Sequence, residues 1–101
     1  MSITANMDDE ASHLTIAIEG RFDFSAHKEF RDAYEQVDQQ PEHFSVDMGA
    51  ANYIDSSALG MLLLLRDHAG GDQADVEIVN CSADVKKILT ISNFDQLFAI
   101  H

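Results

Sequence analysis

Apolar and polar residues alternate from Leu14 to Glu19, with Leu14, Ile16 and Ile18 set against Thr15, Ala17 and Glu19. A period of two is that of a strand with one face on a core, and Gly20 closes the run. A shorter apolar start near Ile3 supplies a candidate strand ahead of it. The period then changes. Phe30, Ala33, Tyr34 and Val37 recur at the spacing of one helix face, with Ser25 as a candidate N-cap and Pro41 as the stop. Phe44, Val46 and Met48 alternate again, as a strand that runs out at Gly49 before a loop carrying Asn52 and Asp55. A second helix is expected from about Ser57. Its Leu59, Met61, Leu62, Leu63, Leu64 and Leu65 cover most of the circumference, which predicts burial against both a sheet and neighbouring helices. Gly70-Gly71 ends it, since glycine readily takes the left-handed conformation that closes helices. Val76, Ile78 and Val79 read as a short strand covered on both faces. Ser82 then caps a third helix with Val85, Ile88 and Leu89 as its core stripe, Asp84 at its positive start and Asn93 as a left-handed stop. Phe94, Leu97, Phe98 and Ile100 are expected to pin the tail onto the core.

Two strands followed by helix-strand repeats predict an α/β layer structure whose later strands are parallel. With 101 residues there is room for one core, so residues 1–101 are read as a single domain. The composition, 46% hydrophobic and 24% charged, is that of a globular chain. Eighteen acidic residues against six basic ones give a net charge of -12, which opposes binding to nucleic acid or to anionic lipid. A basic protein surface would be attracted, although the acidic excess equally serves solubility. Met1 to His13 lacks the pattern of a secretory signal, and the apolar stretch Ala58–Leu65 falls far short of the roughly 20 residues needed to span a bilayer, so no membrane insertion and a cytoplasmic location are expected. Cys81 is the only cysteine, which excludes an internal disulfide; with no basic cluster beside it, it is expected to be a buried small apolar residue rather than a reactive one.

The segment Ile54-Asp55-Ser56-Ser57-Ala58-Leu59-Gly60 resembles the signature of the STAS domains in bacterial anti-sigma factor antagonists, the SpoIIAA-like family. Gly20-Arg-Phe-Asp23 is similar to that family's early Gly-x-x-Asp turn, and Val79-Asn80 and Leu97-Phe98 fit its later landmarks. The sequence departs from the family at Ala58 and Asn93, where glycine is common. The resemblance implies a STAS domain: a mixed, mostly parallel sheet of about four to five strands packed with about four helices. It further implies a protein that captures an anti-sigma factor or an equivalent regulator while unphosphorylated and releases it when a serine is modified. By the motif that serine is Ser56, with Ser57 as the fallback; Asp23, Asp55, Ser56, Ser57 and Ala58 are the implied partner-binding residues. The implied partners also include a serine kinase of the GHKL ATPase type and a PP2C-type serine phosphatase, which in Gram-negative relatives can be wired to a response regulator. Stand-alone STAS domains of this kind also serve as accessory subunits that bind the ATPase of lipid-transporting ABC complexes, a role without a phosphate cycle.

The residues themselves support a modifiable serine. A strand-to-helix turn presents a hydroxyl at a sheet edge beside the unpaired amides of a helix start, and a phosphate of about -1.5 to -2 charges is tolerated there. The same Asp-Ser-Ser also fits an ordinary N-cap. Asp23 fits a turn as well as a binding surface, and Asp47 fits the strand edge or its solvent face. Enzymatic readings find little support. There is no Gly-x-Ser-x-Gly elbow, no phosphate-cradling loop with its lysine, and His13, His27, His43, His68 and His101 are scattered without metal-ligand spacing. No catalytic residue, cofactor or metal is assigned.

Overall fold

The computed structural model describes residues 2–8, 12–37 and 41–101. Five strands, β1 (Ser2–Met7), β2 (His13–Phe22), β3 (His43–Ile54), β4 (Val76–Val79) and β5 (Ala99–Ile100), form one sheet in the order β1-β2-β3-β4-β5. β1 runs antiparallel to β2, and the pairs β2/β3, β3/β4 and β4/β5 are parallel. Three α-helices, α1 (His27–Glu35), α2 (Ser56–His68) and α3 (Ala83–Ile91), make the crossovers, with short 3-10 turns at Phe24–Ala26, Gly71–Gln73 and Phe94–Gln96. Right-handed crossovers that always step the same way along a sheet bring every helix to one face.

Burial follows that rule. Leu14 and Ile16 of β2 register with Phe44 and Val46 of β3, which register in turn with Val76 and Ile78 of β4; these residues, with Ile18 and Met48, are buried under the helices. Phe30 and Tyr34 of α1, Met61, Leu62 and Leu65 of α2, and Val85 and Leu89 of α3 close the core over them. The other face is open and polar. There the Ser45 hydroxyl, the one buried polar side chain among the described residues, donates to Glu77 Oε2 at 2.6 Å. Because its single proton is committed, His13 Nε2 at 2.6 Å is the donor to Ser45 Oγ. Asp47 lies on this solvent face, accepting from the Gly49 amide at 2.8 Å and from Asn80 at 3.1 Å.

Several sequence expectations are corrected by this architecture. β4 is not covered on both faces: Glu77 and Val79 are half-exposed, since all three helices occupy the opposite side. The α2 circumference is not fully buried either. Ala58, Met61, Leu62 and Leu65 form its inner stripe, whereas Leu63 and Leu64 are exposed. α1 ends at Glu35, ahead of Val37 and Pro41, and Ser25 does not cap it; Asp23 caps the 3-10 turn that leads in. Leu97, expected to pin the tail, and Ile88, expected in the α3 core stripe, are each more than a third exposed, while Phe94 and Phe98 anchor the tail and Val85 and Leu89 form the stripe. Other stops fall where expected: Gly70 and Gly71 have positive φ, Asn93 is left-handed at φ 63°, and Ser82 accepts from the Val85 amide at 3.2 Å. Cys81 is half-buried rather than buried, and that burial still pushes its thiol pKa up, away from a reactive thiolate.

The largest departure concerns glycine. β2 does not close at Gly20, nor does β3 run out at Gly49; they continue to Phe22 and Ile54. Ala17 pairs with Asp47 and Glu19 with Ala50, then Gly20 pairs with Ala51 and Arg21 with Tyr53, so β3 absorbs one extra residue at each irregularity. Gly20, at φ 85°, supplies the left-handed backbone that this pairing requires. Among the described residues, pairing to β1 reaches Glu19 and pairing to β4 reaches Asp47, so the ends of β2 and β3 continue as a two-stranded ribbon. That ribbon carries the candidate site.

Candidate functional site

Phe22 pairs with Ile54 at the tip of the ribbon, and both are buried. The next residues, Asp23 and Asp55, therefore leave the sheet side by side, each in extended backbone and each capping a helical turn. Asp55 Oδ1 accepts from the Ala58 amide at 3.0 Å, so Asp55 is the N-cap of α2. Asp23 Oδ1 accepts from the Ser25 amide at 3.0 Å and from the Ser25 hydroxyl at 2.5 Å, and Arg21 Nε lies 3.3 Å from its other oxygen. The Ser25 hydroxyl, followed by its amide and by Arg21, holds the Asp23 carboxyl below the usual carboxylate range against a smaller opposing effect of burial.

Ser56 is the first residue of α2 and is exposed. Its own amide and that of Ser57 belong to the first helical turn, where no intrahelical acceptor exists. Ser57 is half-buried. Ala58 is fully buried, so its methyl group lies in the core and not on the outer surface where the motif had put it. Alanine at this place therefore leaves the outer surface of the turn unaltered. The capping role and the presented hydroxyl are compatible, because Asp55 does the capping and leaves Ser56 free.

The structure also brings up residues that the sequence reading missed. Phe24 is 71% exposed, stacked on the His27 ring, and Tyr53 is 40% exposed with the Arg21 guanidinium 3.9 Å above its ring. Phe24 was legible only as the apolar residue after a turn aspartate, and Tyr53 only through the continuation of β3. Along α2, Ser56, Gly60, Leu63 and Leu64 stand at the spacing of one helix face, and all four are exposed. The serine thus opens onto an apolar flank. Two surface depressions, one lined by Thr4, Ala17, Asp47 and Asn80 and one beside β1, do not include Asp55, Ser56 or Ser57. An exposed, partly apolar surface around a hydroxyl suits docking of a macromolecule.

Residues 5–99 match the family model described as "Mlab, STAS domain". The chain belongs to the STAS-domain family. It is 60% identical to a STAS-domain containing protein of Pseudomonas aeruginosa strain UCBPP-PA14 over 100 residues, 99% of each chain. Among solved structures it is similar to the anti-sigma factor antagonist SpoIIAA in its unphosphorylated form, with a TM-score of 0.76 at 15% identity over 99% of this STAS domain and 87% of that chain. An anti-sigma factor antagonist from Mycobacterium paratuberculosis is equally similar, with a TM-score of 0.76 at 15% identity over 99% and 86% of the two chains. These structural likenesses show the fold. Among the described residues no helix is long and apolar enough to cross a membrane, and no group of three metal-ligating side chains converges.

Proposed function

We propose that this STAS domain is an anti-sigma factor antagonist whose unphosphorylated form captures an anti-sigma factor or related switch protein and whose phosphorylation on Ser56 releases it. The observation that carries the reading is the position of Ser56: exposed at the first residue of α2, beside two Asp-capped turns and above the apolar flank of Gly60, Leu63 and Leu64. Asp23, Asp55, Ser56 and Ser57 form the polar part of the docking surface. Phe24, Tyr53 and the α2 flank form its apolar part.

Phosphate chemistry then accounts for release. The positive end of α2 and the first-turn amides accept about -1.5 to -2 added charges without opening the helix. A partner surface shaped for a small hydroxyl meets instead a bulky, hydrated dianion next to the Asp55 carboxylate, and desolvating that pair opposes docking. The net charge of -12 favours a basic partner surface and speeds encounter. A GHKL-type serine kinase and a PP2C-type serine phosphatase supply and remove the phosphate. No group on the domain is assigned to catalysis.

A second reading is an accessory subunit that binds the ATPase of a lipid-transporting ABC complex, supported by the match to the family model described as Mlab. Affinity capture from the native cell, with mass spectrometry of the partners and of Ser56, separates the two. Co-purification of an anti-sigma factor with the unmodified form, alongside a phosphorylated Ser56 population lacking it, is the expected result. Recovery of a transport ATPase alone, with Ser56 always unmodified, supports the accessory role.

A further inference from the structure

β1 is the outer strand at one edge of the sheet, and its far side pairs with nothing among the described residues. Such an edge offers a row of unpaired amides and carbonyls to any other strand, and folded proteins usually guard it with charge, proline, a bulge or brevity. The opposite edge, β5, is guarded by brevity, being only two residues long. β1 has six residues, Ser-Ile-Thr-Ala-Asn-Met, with no proline and no charge in a chain that is 24% charged, and it pairs with β2 without a register shift.

The pattern of β1 is also its own complement. Ile3, Ala5 and Met7 register with Ile18, Ile16 and Leu14 and so lie on the helix side; Thr4 and Asn6 lie on the open side. In an antiparallel pair of β1 strands about a two-fold axis at Ala5, Ile3 of each copy meets Met7 of the other, and Thr4 meets Asn6. Apolar side chains thus face apolar ones on one side of the extended sheet, and hydrogen-bonding side chains face each other on the other. Ile3 and Met7 are only partly buried in the single chain. Next to them a depression of about 390 Å³ lies between β1 and α1, with Ile3, Ala5, Ala33 and Val37 among its walls. It offers space for the apolar side chains of a second strand.

We propose that β1 is a self-association edge through which two copies of this chain join their sheets. A six-residue strand spans about 20 Å, so the interface is small and the dimer weak. Charge sets the sign of its salt dependence. Each copy carries -12, and Glu29 and Asp32 border the same depression, so the copies repel at low ionic strength. Screening removes that repulsion, and the dimer strengthens as salt is added.

Sedimentation equilibrium of the full chain over a concentration series, at low and at high salt, tests this. The expected result is a weight-average mass that rises toward twice the monomer mass with concentration, and does so at lower concentration in high salt. Successive amides of a strand point to opposite edges, so of Thr4→Pro and Ala5→Pro one removes an outward donor and the other an inward one. The variant that retains the wild-type melting temperature should remain monomeric. Amide exchange gives a readout independent of any variant: the outward amides of β1 should exchange more slowly at high protein concentration. A chain that stays monomeric at every concentration and salt, a dimer that survives the fold-retaining proline, or concentration-independent exchange along β1 overturns the proposal.

Discussion

Gly60 separates what the domain needs for folding from what it needs for docking. It is the fifth of the 13 residues of α2, inside the helix, and it is exposed. A Cβ built there meets no atom within 4 Å, so no internal contact requires glycine. Glycine in a helix interior costs about 0.8–1 kcal/mol relative to alanine. Gly60→Ala should therefore stabilise the free domain by about 1 kcal/mol, equivalent to a rise of about 4–8 °C in melting temperature for a domain of this size. Gly60 also stands one turn after Ser56 on the exposed face, where a missing side chain lets another backbone approach closely. The same substitution should weaken capture of the partner. Denaturant melts and partner titrations on one pair of samples test both signs. A variant that is more stable and binds equally well would refute the placement of the docking surface on this flank. A variant that is less stable would refute the geometry of α2 itself.

Three further outcomes follow from the same physical picture. Asp55→Ala removes the cap on the Ala58 amide and should cost about 1 kcal/mol, whereas Asp55→Asn, which keeps an acceptor oxygen, should cost less; thermal melts of the two decide. Leu62→Ala should cost about 2–5 kcal/mol because Leu62 is fully buried, while Leu64→Ala, half-exposed, should fall within about 0.5 kcal/mol by chemical denaturation. The folded-state pKa of Asp23 lies below its ordinary value, so its contribution is present above the unfolded pKa near 3.8 and is lost as pH falls through the lower folded value. Melts across that acidic window should show Asp23→Asn losing less stability on acidification than the wild type.

Much of the architecture was legible in periodicity. The alternation of Leu14, Ile16 and Ile18 and of Phe44, Val46 and Met48 follows directly from one-sided burial, as does the α1 stripe, in which Phe30 and Tyr34 are core and Ala33 is half-buried against it. The failures cluster where local signals competed with tertiary pairing. Gly20 and Gly49 read as strand ends because glycine is a turn residue, yet here both lie within irregular but continuous pairing that carries β2 and β3 on to Phe22 and Ile54. The overlooked ribbon is what sets Asp23 and Asp55 side by side. Leu63 and Leu64 read as core because a single sequence cannot distinguish a helix buried all round from one whose outer apolar face is left open. Ala58 was assigned to the surface by its neighbours in the motif, although the i, i+3, i+4, i+7 stripe of Ala58, Met61, Leu62 and Leu65 places it inside. The candidate serine was legible through the family resemblance alone; Asp-Ser-Ser left the cap open among three residues, and the structure gives it to Asp55 with Ser56 exposed beside it.

The central claim is that a phosphate on Ser56 changes an interface and leaves the fold intact. The most direct measurement compares the unmodified protein with the stoichiometrically Ser56-phosphorylated protein, recording partner affinity and melting temperature on the same two samples. Phosphorylation should cost at least a tenfold loss of affinity, about 1.4 kcal/mol or more, with nearly equal melting temperatures. Equal affinities, or a phosphorylated form that has unfolded, would contradict it.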